Sequence, residues 1–333
     1  MNGLLRRLLL AMLFGIAIYG AFVAYTGFRD VQESLAGFRW SALGLALLLA
    51  TANYGLRVVK WEYYLARLGI RNVPKLDSAL VFLSGFVLTM TPGKVGEMFK
   101  SAVLAQTYGV PAARTAPIVI AERLTDVIGV VLLIVLGSVG FAGGLGWAMA
   151  GGALVAVGVA LILWQRPLLW LVSLVERGPA RLRPLAPKLL EALDALRVLA
   201  GPGALLWLAL LSFVAWGCEG LALHVVVQGF GLEGDVALAV FFYATATLAG
   251  AIIPVPGGLG VTESMIQQQL VRLGAIPLGP ATTSMILVRL ATLWWAVLLG
   301  FVALGALKLR HPTLFASRRV EGEAGGDVPA APR

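Results

Sequence analysis

Residues 89–100 read TMTPGKVGEMFK, and residues 253–263 read IPVPGGLGVTE. Each stretch breaks an apolar run with a Pro-Gly pair and sets a glutamate, Glu97 or Glu263, a few residues further on. Proline stops an incoming helix, and glycine permits a tight reversal. The apolar pieces flanking Pro92-Gly93 (76–109) and Pro256-Gly257-Gly258 (236–273) are roughly 15 residues each, or about 22 Å as helix, against a hydrocarbon core of about 30 Å. The pattern predicts two re-entrant helical hairpins, each returning to its own side. Non-helical backbone at that depth must be buried in protein or line a wet cavity. The alternative is two tilted helix pairs, which gives eight spans.

The rest of the chain fits a membrane setting. Of 333 residues, 59% are hydrophobic and 13% charged, against about 25% charged in soluble domains. An all-α polytopic membrane protein is expected. Spans of suitable length lie near 8–28, 41–62, 115–140, 146–164, 204–228 and 281–307. The first is longer than a signal-peptide core of about 7–15 residues, so it reads as a retained helix. The net charge of +9 needs no nucleic-acid partner, because membrane proteins concentrate Lys and Arg in cytoplasmic loops. Arg6 and Arg7, the segment 57–75, the connection 165–203 and the tail carry most of the basic residues. They share one side if both termini are cytoplasmic, in an inner membrane. Trp61, Tyr63, Tyr64, Trp147, Trp164 and Trp207 fall near expected span ends and read as interface belts. Residues 188–200 read as an amphipathic helix on the cytoplasmic surface. The expected layout is one transmembrane domain over 1–310 and a disordered tail over 311–333. The one cysteine, Cys218, excludes an intrachain disulfide.

An internal repeat ties the two breaks together. Glu97 and Arg123 are 26 residues apart, as are Glu263 and Arg289. NYGLR (53–57) aligns with WGCEG (216–220) at nearly the same displacement, about 162–166 residues. The repeats run over about 41–140 and 204–307, each a span, a hairpin and a span. Three crossings separate the copies, so the second is inverted, an arrangement common in secondary transporters.

Charges inside apolar spans are costly and face inward. They are expected to pair as Glu97–Arg123 and Glu263–Arg289, each clamping a hairpin to the following span. A compatible reading gives Arg57, Arg123 and Arg289 a lipid phosphate, which the planar guanidinium binds bidentately. The outgoing half-helix after each break presents its N-terminus, a ready anion site. Lys94 sits in the first of these turns, or alternatively reaches a cytoplasmic vestibule. The candidate substrate-binding residues are thus Arg57, Pro92, Gly93, Lys94, Glu97, Arg123, Pro256, Gly257, Gly258, Glu263 and Arg289. Glu122 and Asp126 read as solvating the cytoplasmic end of Arg123. His224 reads as a packed core residue, with a proton relay as the alternative. With His224 and His311 far apart, no metal cluster and no nucleotide loop, the sequence offers no catalytic constellation, and neither metal nor cofactor is expected.

Together NYGLRVVKW, TPGKVGEMFK, AERLTDVIGV and PVPGGLGVTE resemble the transmembrane domain of lysylphosphatidylglycerol synthetases, over roughly residues 10–305. That flippase-like family also includes stand-alone members. The resemblance implies movement of a lipid between leaflets, whether a phospholipid, a hopanoid or a polyprenyl-linked lipid. The full synthetases add a cytosolic aminoacyltransferase domain. Here about 25 residues follow the last expected span, so lipid aminoacylation is not expected. The competing readings are a non-transporting accessory subunit partnered with a lipid-synthesis enzyme, and a membrane enzyme of unknown chemistry. The oligomeric state is not legible.

Overall fold

The computed structural model describes residues 2–89, 98–138, 144–163, 166–177, 179, 183–199, 201–253 and 255–314. Pro92, Gly93, Lys94 and Glu97 lie outside the described residues, so the first break and the Glu97–Arg123 pair are not described.

The described residues form helices and no strands. The first half comprises α1 (Asn2–Thr26), α2 (Phe28–Ala36), α3 (Trp40–Arg67), α4 (Lys75–Ser84), α5 (Phe99–Tyr108), the single turn α6 (Ala112–Thr115) and α7 (Pro117–Gly137). The connecting helices are α8 (Gly144–Leu163), α9 (Arg166–Arg177) and α10 (Ala186–Leu199). The second half comprises α11 (Pro202–Gly229), α12 (Val236–Ile252), α13 (Val261–Arg272), α14 (Leu278–Arg289) and α15 (Trp295–Arg310). A π-turn, Leu290–Trp294, joins the last two into one 33-residue helix. Local signals set several ends. Pro117 and Pro202 open their helices, where a missing N–H costs nothing. Asp235 caps α12 by accepting from the Ala237 and Leu238 amides at 2.6 and 3.3 Å.

Among the described residues, three helices are long and apolar enough to cross a membrane: Trp40–Arg67, Gly203–Gly229 and Leu278–Arg310. The other three expected spans correspond to α1, α7 and α8. The first half of α7 carries Glu122, Arg123 and Asp126. Within α1 and α8 the apolar stretches Leu13–Thr26 and Met149–Gly158 are described. Between α1 and α3 the chain forms α2, braced by an Arg29–Glu33 pair at 3.1 Å.

Two long helices make the central crossing. α3 packs along α11, and Asn53 Nδ2 donates to the Ala215 carbonyl at 2.8 Å. The shorter helices are exchanged across it: α4 lies against α15, and α12 lies against α7. Glycine allows both approaches. A Cβ on Gly300 of α15 would sit 2.7 Å from the Val87 amide, and one on Gly137 of α7 would sit 2.8 Å from Phe241 Cβ.

The expected aromatic belt at the end of α3 is corrected. Trp61 and Tyr64 are wholly buried, with Trp61 donating to Ser78 Oγ at 3.1 Å. The basic end of α3 is covered by α4 and α10, so these rings serve as core. Trp207 is exposed. Trp164 lies outside the described residues. The expected amphipathic helix is α10, seated on α6 and α7 through Ala195, Leu196 and Leu199.

Candidate functional site

The second break is described almost completely. Gly257 and Gly258 hold φ of 61° and 68°, in the left-handed region where a side chain is strained. Pro256 opens this turn, which leads through Gly260 into α13. The expected pair is present: Arg289 Nε donates to Glu263 Oε1 at 2.6 Å. Arg289 also reaches the Gly257 carbonyl at 3.2 Å, and Glu263 Oε2 accepts the Gly260 amide at 2.7 Å. One arginine and one glutamate therefore fasten the turn to the last long helix. Tyr19 and Trp294 extend the contact, with Trp294 Nε1 donating to the Tyr19 hydroxyl at 2.9 Å.

The first half builds a different charged centre. Asp126, in α7, accepts from Lys60 Nζ at 2.6 Å and from Ser212 Oγ at 2.9 Å. Arg123 approaches it at 3.2 Å and Arg57 at 3.8 Å. Glu122 pairs with Lys100, whose ammonium also lies 4.8 Å from the ring centroids of Trp61 and Phe82. Glu122 and Asp126 do not solvate a surface arginine, as the sequence suggested. They are buried at 2% and 4% exposure, and they anchor cations from α3, α5 and α7. Lys60, Lys100 and these two acids were the residues sequence reading missed as a unit. Their signal was the i,i+4 spacing of Glu122 and Asp126 on one face of α7.

Between the halves lies a cavity of about 70 Å³. Arg57 and Tyr54 of α3, Glu219 of α11, Tyr243 of α12, Arg289, and the Gly257-Gly258 turn all line it. Tyr54 donates its hydroxyl to the Thr292 carbonyl at 2.5 Å, and Tyr243 donates to Glu219 at 2.7 Å. The structure thus brings Arg57, Arg289, Gly257 and Gly258 to one site. Glu263 stands behind Arg289, and Arg123 stands with Asp126. His224 is buried at 8% exposure and lines a separate pocket with Glu233 and Asp235.

The family follows from the sequence that builds this site. Residues 12–300 match the lysylphosphatidylglycerol synthase TM region. The chain belongs to that family. It is also similar to a UPF0104 membrane protein of Methanocaldococcus jannaschii, 22% identical over 222 residues, which cover 65% of this chain and 92% of the relative. This family member is therefore a membrane protein, and its match takes in both breaks, both charged centres and the cavity.

Away from the spans, Asp77 at the start of α4 joins the first half to the end of α15. It accepts from Arg310 Nε at 2.5 Å, lies 3.0 Å from His311 Nε2 and accepts the Tyr108 hydroxyl. Burial pushes the Asp77 carboxyl up, but the hydrogen bonds from Tyr108, His311 and Arg310 outweigh it and hold the group below its usual range. Burial and the Asp77 contact push the Tyr108 phenol up to about 12.

Proposed function

We propose that this protein receives the anionic, phosphate-bearing headgroup of a membrane lipid in the central cavity and moves that lipid between leaflets. The observation that carries the reading is a cavity lined by one arginine from each half, Arg57 and Arg289, beside a broken-helix turn. Guanidinium groups suit phosphate. A volume of about 70 Å³ suits a polar headgroup and leaves acyl tails in lipid.

Two features support an inverted repeat with hairpins. Both halves set two short helices after a long one, α4 and α5 after α3, and α12 and α13 after α11. Contacts are reciprocal as well: Asn53 meets Ala215, 162 residues on, and Gly137 and Gly300 make the matching close approaches in α7 and α15. In this reading six spans and two re-entrant hairpins form one domain. The termini are cytoplasmic in an inner membrane, and rocking of one repeat on the other exposes the cavity to each leaflet in turn. The chain carries no chemistry of its own, and the substrate is a phospholipid, hopanoid or polyprenyl-linked lipid.

The test is purified protein in liposomes with a panel of fluorescent lipids, scored for leaflet exchange. Exchange of anionic lipids above protein-free vesicles is expected, with loss in a folded Arg57→Gln variant. Exchange unchanged in that variant removes the cavity from the pathway. No exchange for any lipid points to an accessory role, and a new lipid product points to an enzyme.

A further inference from the structure

Glu219 lines the cavity, yet the translocation reading gives it no role. It is 5% exposed on α11, a helix that carries no other Asp, Glu, Lys or Arg. Among the described residues it is the one carboxylate lining the cavity. Glu263, the other acid near the cavity, is wholly buried, and its oxygens already hold Arg289 and the Gly260 amide. Glu219 Oε2 accepts the Tyr243 hydroxyl at 2.7 Å.

Charged and hydroxyl-bearing groups share the cavity with Glu219 from several helices. α3 contributes Tyr54 and Arg57, α12 contributes Tyr243, and the last long helix contributes Arg289 and Thr292. On α11 itself the neighbours are Trp216 and the half-buried Cys218. Asp126 is engaged two turns along α11 by Ser212, with Lys60. A phosphate admitted between Arg57 and Arg289 therefore shares a small cavity with an existing carboxylate. In so confined a space, two negative charges repel strongly, and a proton on one of them relieves the conflict.

We infer that Glu219 takes up a proton as the anionic headgroup enters the cavity and releases it as the headgroup leaves, so that lipid and proton cross together. The proton comes from water on the side from which the lipid enters. It binds the Glu219 carboxylate, and no bond to carbon or phosphorus forms or breaks. This inference rests on the lipid-translocation reading.

The experiment uses the full chain in liposomes and a fluorescent phosphatidylglycerol, with exchange rates measured with and without an imposed pH gradient. The wild-type rate is expected to rise when the gradient favours inward protons and fall when it is reversed. In Glu219→Gln, which keeps an acceptor for Tyr243 but cannot take a proton, the ratio of the two rates should collapse to about one. A second measurement needs no variant. Short-chain phosphatidylglycerol added to the protein in weakly buffered detergent should draw about one proton per lipid bound, read by a pH dye. Binding without proton uptake, or an unaltered gradient response in Glu219→Gln, overturns this inference and leaves the translocation reading standing. Absence of wild-type exchange overturns both.

Discussion

The two charged centres use the same ingredients to opposite ends. In the second half, Arg289 and Glu263 close on each other and on the backbone of the break, so they fasten a turn to a helix. In the first half, Asp126 gathers Lys60, Arg123 and Arg57 and takes a hydrogen bond from Ser212 of α11, so it joins three long helices. Each half places an arginine 26 residues after a glutamate. Its described partners nevertheless differ: Arg289 takes that glutamate, while Arg123 takes an aspartate one turn along its own helix. Equal spacing does not give equal contacts, because what each position does depends on the helices packed around it.

Removing the hub should cost most. Asp126→Ala leaves buried Lys60 without its carboxylate, and loss of one partner of a buried pair costs about 3–5 kcal/mol. Thermal unfolding in detergent should place this variant at or beyond the upper end of that range. Lys60→Met together with Asp126→Ala should recover part of the loss, and a double variant no better than the single would break the hub reading.

The clasp comes next. Arg289→Ala should cost about 3–5 kcal/mol in the same assay, with partial recovery on adding Glu263→Ala. Recovery here but not at the hub would sharpen the contrast between an isolated pair and a network. Gly258→Ala should follow at about 1–2 kcal/mol, from its left-handed φ. The added Cβ would also sit 2.9 Å from Thr262 Oγ1. A neutral result would mean that the turn relaxes and the clasp does not hold it.

The smallest effects belong to the Asp77 latch, and they are pH-dependent. Asp77 titrates below its unfolded value in the folded protein, so its stabilisation is present above the unfolded carboxylate range and lost as pH falls through the lowered value. Tyr108 is raised, so its contribution is complete below the unfolded phenol value of about 10 and lost as pH rises through about 12. Melting temperature should therefore decline at both extremes. Asp77→Asn should flatten the acid limb, and Tyr108→Phe should flatten the alkaline one. Unflattened limbs would assign the pH response to other groups.

Much of this was legible beforehand because it follows from local rules. The Pro256-Gly257-Gly258 break, the helical class and the Glu263–Arg289 pair all came from spacing and from the cost of charge in apolar surroundings. What stayed hidden depends on distant packing. Trp61 and Tyr64 look like a membrane belt until α4 and α10 cover them. Asp126 looks like a loop-side solvating acid until Lys60 and Ser212 arrive from α3 and α11. Glu219 is a lone acid in an apolar helix, a signal that was visible but had no partner within reach of sequence spacing. Tyr243, which holds it, lies 24 residues away.

The π-turn after Arg289 settles a problem of angular phase. Ala281 and Leu307, both wholly buried, lie 26 residues apart on one continuous helix. At about 100° per residue, an unbroken α-helix would carry them about 80° out of alignment. One extra residue in a single wide turn absorbs nearly all of that error. The stretch before the turn can then face α11 while the stretch after it faces α4, and Arg289 sits at the point where the phase is reset.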